Sequence, residues 1–349
     1  MRSRFLVVSA VIWVLCAGTG YSQTITGTLD GYWSYNNNTP AFRLNTFRSF
    51  DFRDQAFALN YGELAVDYKP NQVGIRVDVG FGDAAEIVHH NPADVQIWRH
   101  IQQAYITGTK DKFTMDFGKW VTPIGAEVIE TKDNWNYTRG LLFKFATPFY
   151  HVGVKGTYAA SDKATVAGYV VNGWDNVRDN NTAKSVGFVG IFKPIDKLGV
   201  TTNVLFGKET PADGARELYD GIVSYTVNDR IAVMANYNYT RDKSFGTGVF
   251  WQGVAVYGKV KTIEKLTLAS RYEWFGDSHN AFRTGNNENV QSFTATSQIP
   301  WSDMTFWGEY RRDWSNLAVF NRTKGIDTSV VDNQNTITLG LTYGFKKEQ

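Results

Sequence analysis

Few side chains in this 349-residue sequence are spaced for covalent chemistry. Gly253 to Lys259 has the G-x-x-x-x-G-K spacing of a phosphate-binding loop. Val260 stands where that motif needs Ser or Thr, and the segment alternates like a strand with no helix after it. His89-His90, His100 and His151 show no metal-ligand spacing, and Cys16 is the single cysteine. No G-x-S-x-G elbow occurs. Neither a catalytic group, a metal nor a cofactor is expected. What does recur is charge at a spacing of two. Arg271 and Glu273 form one such pair, and Glu309, Arg311 and Asp313 form a ladder. Residues two apart share one face of a strand.

The elements that must carry those charges follow from periodicity. From Thr24 onward, segments of about ten residues alternate apolar with polar or small side chains, the signature of a strand with two different faces. The last is the clearest. Ile337, Leu339, Leu341, Tyr343 and Phe345 alternate with Thr336, Thr338, Gly340, Thr342 and Gly344. Sixteen strands are predicted, at 24–35, 57–68, 73–82, 98–108, 113–120, 149–159, 164–172, 185–193, 198–207, 217–227, 230–240, 249–260, 266–275, 289–298, 304–313 and 335–345. Seven short turns alternate with eight longer connections. Short then long through an even strand count predicts an all-β, transmembrane antiparallel barrel with short periplasmic turns and long outer loops. In hydrocarbon every backbone N–H and C=O must be paired, and a sheet achieves this only by closing on itself. Sixteen strands leave a bore wide enough for water.

Composition agrees. The chain has 52 aromatic residues, 32 glycines and a mean hydropathy of −0.31. No segment beyond the amino terminus has the run of ~18 apolar residues that a spanning helix needs. Trp33, Tyr35, Tyr68, Tyr158, Tyr237, Tyr239, Tyr257, Tyr272, Trp274, Tyr310 and Tyr343 lie near strand ends, as interfacial girdles would. At the start, Arg2 and Arg4 precede an apolar stretch from Phe5 to Cys16 and a small-residue exit at Ser22. This predicts a signal peptide over 1–22, with the barrel over 23–349. Its removal would take Cys16 away, and of the 36 basic residues Arg2 and Arg4 with it, leaving 34 basic against 34 acidic. The near-neutral charge gives no reason to expect nucleic acid.

Phase assigns Asp30, Glu63, Asp67, Arg76, Asp78, Lys155, Arg271, Glu273, Glu309, Arg311 and Asp313 to the lumen wall. A mid-membrane Arg or Lys on the lipid side would cost about 2–4 kcal/mol. They would either brace the wall by ion pairing or act in selectivity. The connection near 121–148 is too rich in large side chains, such as Ile124, Trp135, Tyr137 and Phe143, for a solvated loop. It is predicted to fold into the barrel and constrict it. Lys119, Glu127, Glu130, Lys132, Asp133, Arg139 and Lys144 are the candidate constriction residues.

Gly118-Lys119-Trp120-Val121-Thr122-Pro123-Ile124-Gly125-Ala126-Glu127-Val128-Ile129-Glu130, followed by Asp133 to Arg139, resembles the outer-membrane β-barrel porin family called OmpL-like. Asn172-Gly173-Trp174-Asp175 with Asp179-Asn180-Asn181, Arg271 to Phe275, and Glu309-Tyr310-Arg311 share the likeness, which runs from about residue 24 to the end. The resemblance implies a porin of the bacterial outer membrane and supplies no substrate. The expected function is a water-filled channel for passive diffusion of small hydrophilic solutes or ions. A closed surface barrel acting as adhesin or receptor is the alternative, and a lipid hydrolase built across strands is a third. Expected partners are outer-membrane lipid, small hydrophilic solutes, and the barrel-assembly machinery through a last strand ending at Phe345. A homotrimer is the expected assembly by analogy with sixteen-stranded porins.

Overall fold

The computed structural model describes residues 23–89, 95–209, 214–244, 248–279, 283–285 and 288–348. The predicted signal peptide, with Arg2, Arg4 and Cys16, lies outside the described residues, as does His90.

The strands are β1 (Gln23–Asn36), β2 (Phe57–Tyr68), β3 (Val73–Phe81), β4 (Ile101–Lys110), β5 (Phe113–Val121) and β6 (Tyr150–Ser161). They continue as β7 (Ala164–Val171), β8 (Ser185–Ile195), β9 (Leu198–Gly207), β10 (Arg216–Asn228), β11 (Ile231–Asp242) and β12 (Val249–Ile263). The remainder are β13 (Leu266–His279), β14 (Asn289–Trp301), β15 (Met304–Ser315), β16 (Phe320–Lys324), β17 (Asp327–Val331) and β18 (Asn333–Glu348). Sixteen of them close into one antiparallel barrel, each paired with its chain neighbour. β15 pairs with β18, and β18 closes the ring on β1, from Thr24 opposite Glu348 to Asn36 opposite Thr336. Seven turns of two to four residues sit at one end and the eight long connections at the other.

Most strand ends differ from the sequence expectation by a few residues, β4 for instance beginning at Ile101 rather than 98, and two differences change the architecture. The last strand does not stop at Phe345, because Lys346, Lys347 and Glu348 still pair with Thr26, Ile25 and Thr24. The connection at 314–334 is not all loop. It holds the hairpin β16–β17, which pairs only with itself.

The alternation sorts the side chains as the pleat requires. Leu29, Phe117, Leu268, Tyr272, Tyr310, Leu339 and Tyr343 point outward and are exposed. Asp30, Asp78, Asn203, Asp220, Asn236, Arg271, Glu273, Glu309, Arg311 and Thr336 point inward and are buried. Tyr257 corrects the girdle assignment. It shares the inward phase of Trp251 and Ala255 and is 3% exposed. The expectation of a polar inner face also fails in part. Trp120, Tyr169, Val171, Leu205, Leu218, Trp251, Phe275 and Val290 are buried inside the barrel. Apolar side chains facing a water-filled bore would forfeit about 1.5–3 kcal/mol each, so something must cover them.

Candidate functional site: a loop across the bore

The cover is the connection 122–149 between β5 and β6. Its short helix Leu141–Phe145 seats Leu141, Leu142 and Phe145 against Trp251 and Tyr257 of β12, Phe275 of β13 and Val290 of β14. Ile129, Phe143 and Phe149 pack with Phe50 and with Ala84, Ala85 and Val88 of the helix Asp83–Val88. Ile124 joins Trp120, Tyr169, Val171, Leu205 and Leu218 on the wall. In a ring of sixteen, β13 lies eight strands from β5, and β14 eight from β6. The loop therefore spans the bore and docks on the opposite wall.

Polar bonds fix that docking. The Gly125 N–H donates to Asp220 Oδ2 on β10 at 3.1 Å, and the Ala126 N–H to Asn236 Oδ1 on β11 at 3.3 Å. Further along, the Tyr137 N–H donates to Glu309 Oε2 at 2.7 Å and the Tyr137 hydroxyl to Asp30 Oδ1 at 2.5 Å. The Thr131 hydroxyl also donates to Asp30. Arg271 donates to Glu127 Oε1 at 2.5 Å and to the Thr138 carbonyl at 2.7 Å, and Arg311 donates to the Arg139 carbonyl at 2.7 Å. The Leu142 N–H donates to Glu273 Oε1 at 3.3 Å. Arg311 is paired with Asp313 at 2.7 Å, and Asp313 with Arg48 at 2.8 Å. Asp175 secures the exit. Its Oδ1 accepts the N–H groups of Phe149 and Tyr150 at 2.6 and 3.2 Å.

The candidate constriction residues consequently divide. Glu127 and Arg139 are buried in the loop's own framework. Glu127 accepts the Gly140 N–H at 2.6 Å, and Arg139 donates to the carbonyls of Val128, Tyr137 and Ile129 at 2.8, 2.5 and 2.5 Å. Lys119 lies on the opposite strand phase from Asp116 and Trp120, beyond Gly118, whose φ is +140°. It donates to the Ile101 carbonyl at 2.6 Å and contacts His89 Nδ1 at 3.1 Å. It does not line the cavity that holds Glu130, Lys132 and Asp133.

That cavity of about 660 Å³ lies between the loop and the β1–β6 wall. Glu63, Asp67, Arg76 and Lys155 line it from the wall, and Lys346 from the end of β18. Lys155 pairs with Asp116 at 3.1 Å and sits 5.2 Å from the Trp120 ring centre. Burial raises the Glu130 carboxyl above its ordinary value, and the neighbouring Asp133 charge adds to the rise. Asp78 is buried beneath the cavity lining, paired with Arg76 at 3.0 Å. Asp30, Arg271, Glu273, Glu309, Arg311 and Asp313 do not line it, because they are engaged in holding the loop or one another. Lys144 faces a second cavity on the long-loop side. Sequence reasoning missed Asp220, Asn236 and Arg48 as anchors. The first two stand on the inward phase of alternating strands and were legible there.

A closed sixteen-stranded barrel with a lipid-facing apolar exterior and one connection folded into its lumen defines an outer-membrane channel of the porin class. The sequence profile of the beta-barrel porin-2, OmpL-like family matches residues 22–345, and the chain belongs to that family. The barrel is similar to outer-membrane expressed OmpT of Vibrio cholerae, with a TM-score of 0.65, 14% identity, and 94% of this chain and 99% of that one covered. It is similar to an anion-selective porin from Comamonas acidovorans, with a TM-score of 0.65, 9% identity, and 93% and 100% covered. A Salmonella typhi OmpF complex with daunomycin gives 0.61, 15% identity, and 93% and 98%. At these identities the likeness is one of fold. No curated protein matches the chain.

Proposed function

We propose that small hydrophilic solutes and ions cross this barrel by an eccentric path between the loop 122–149 and the β1–β6 wall. The observation that carries the reading is the docking of the loop on β13–β15. It fills the far side of the bore and leaves the polar cavity on the near side. Glu130, Lys132 and Asp133 of the loop then work with Glu63, Asp67, Arg76 and Lys155 of the wall. Both charge signs are present, so the path selects by size first and discriminates weakly between anions and cations. Arg271, Glu273, Glu309, Arg311 and Asp313 position the loop. The lipid-facing strands hold the barrel in the outer membrane, and the β18–β1 seam is the element that assembly machinery would complete.

Planar-bilayer recording of the refolded protein tests this, with a salt gradient for selectivity. A small, weakly selective conductance is expected, and deleting 128–140 should raise both conductance and the size limit for solutes entering liposomes. A stable barrel that passes no current would overturn the channel path. Unchanged conductance and size limit in the deletion would overturn the constriction.

A further inference from the structure

A second cavity, of about 540 Å³, lies among the long connections. Ser49, Ile87, Lys144, Trp174 and Arg283 line it, each from a different long connection, so it lies on the outer side of the constriction. Phe145, Phe149 and Trp174 give it aromatic walls, and Lys144 and Arg283 face it. The Arg283 guanidinium carbon is 5.4 Å from the Trp174 ring centre, and that of Arg216 is 4.9 Å away. Neither Lys144 nor Arg283 forms an ion pair among the described residues. Lys144 donates to the Arg48 carbonyl at 2.9 Å, and Arg283 Nε to the Phe145 carbonyl at 2.5 Å. Both partners are neutral carbonyls, which leaves each cation with further N–H donors. The one carboxylate in the lining, Asp175, takes two backbone N–H groups on Oδ1 and acts on Arg283 through its charge without forming an ion pair with it.

The carboxylates nearby, Asp51, Asp175 and Asp277, pair with neither side chain, although Asp277 accepts the Arg283 backbone N–H at 2.6 Å. Two buried cations whose charges repel, neither of them ion-paired, cost repulsion and desolvation. An arriving anion would repay both. The volume lies within the range of small-molecule sites, and a few convergent polar groups among aromatic walls are their usual composition. We propose that this outer cavity binds a small aromatic carboxylate, its ring against Trp174, Phe145 and Phe149 and its carboxylate on Lys144 and Arg283. The site loads a solute at the outer mouth before the constriction. Burial first, and then the Arg283 charge, bring the Lys144 ammonium down to about 8.

This inference rests on the channel reading only for its consequence in transport, so its first test is binding in detergent micelles. Calorimetric titration with benzoate, benzamide and benzylammonium on the full chain is compared with K144Q, R283Q and the double variant. Benzoate should bind one to one and benzamide about tenfold more weakly, the scale of a charge-assisted bond. The double variant should bring benzoate down to the level of benzamide while leaving benzamide unchanged, which also shows that the cavity stays folded. Benzoate added on the long-loop side of a bilayer should interrupt single-channel current at lower concentration than on the short-turn side. Equal binding of benzoate and benzamide, tighter binding of benzylammonium, or benzoate affinity surviving in the double variant would each overturn the site. Specific binding without any current would leave the site standing and overturn the channel path instead.

Discussion

Arg271 of β13 holds two separate stretches of the loop with one guanidinium. Its Nη1 reaches Glu127 Oε1 at 2.5 Å and the Thr138 carbonyl at 2.7 Å, while Nε faces Glu273 at 2.9 Å. Arg271 and Glu273 are buried, at 1% and 0% exposure. Removing the cation alone leaves Glu127 and Glu273 as buried carboxylates without their counter-ion, held by backbone N–H groups of the loop, a cost of about 3–5 kcal/mol. R271Q should therefore release the loop from the wall while the ladder of the barrel persists. Single-channel conductance is expected to rise about twofold with frequent flicker, since the far side of the bore opens intermittently. Conductance equal to wild type, with barrel content confirmed by circular dichroism, would show that this pair does not hold the restriction.

Gly340 of β18 gives an independent approach to the same docking. A Cβ there would lie 2.3 Å from the ring of Tyr137, whose hydroxyl bonds Asp30. G340V should push Tyr137 off the wall and raise conductance in the same sense as R271Q. Y137F removes one hydrogen bond from a carboxylate that keeps Thr131 and Asn60 as donors. That loss is worth about 1.5–3 kcal/mol and should leave conductance near wild type. G221V is the control, because nothing lies within 4 Å of its Cβ position. If G221V changed conductance as much as G340V, a general effect of β-branched substitution in the wall would explain both.

Selectivity should respond to cavity charges and not to socket charges. Lys132 lines the cavity, where it is matched with Asp133 at 2.5 Å. K132E changes the local charge by two in a narrow aqueous path, which should move the reversal potential in a salt gradient toward cations by about a twofold change in permeability ratio. K119E serves as the contrast, since Lys119 does not line this cavity. Recordings at low and high salt check the assignment, because the shift of K132E should shrink as screening grows.

The alternation of strands such as β18 carried the barrel, its strand count and the alternation of loop lengths, because a two-faced strand imprints a period of two on the sequence. The large apolar side chains of 121–148 raised the expectation of an inward fold and named no docking partner for it. Period alone assigns a face and no partner, so Arg271-x-Glu273 and Glu309-x-Arg311 read as wall charges, while the backbone groups of the loop that they also bind were not legible. Tyr257 was misplaced for a related reason. An aromatic near a strand end suits a membrane girdle, yet here the ring meets Trp135 of the loop, with centres 6.4 Å apart. Hairpin β16–β17 was missed because its short strands sit among polar residues and pair only with each other.

Binding at the outer cavity should weaken as pH rises from about 6 to 9. Burial, reinforced by Arg283, brings Lys144 down to about 8, so its ammonium is lost within this window. Burial raises Asp175 to about 7 against the pull of the Phe149 and Tyr150 N–H groups, so its negative charge develops in the same window. The groups whose charges act on Lys144 are Arg283, Asp51 and Arg311, with the Arg48 carbonyl as its bonded partner. Asp51 and Arg311 have partners of their own, Arg48 and Asp313. Arg283, lowered by burial to about 10, stays charged. Both titrations remove positive potential, so their effects on an anion add. Benzoate, ionised throughout, should bind about tenfold more weakly at pH 9 than at pH 6, whereas neutral benzamide should show no trend. K144Q should lose the part of the change near pH 8 and keep the part near pH 7. An affinity for benzoate that rises with pH, or a K144Q profile identical to wild type, would place the titrating groups elsewhere.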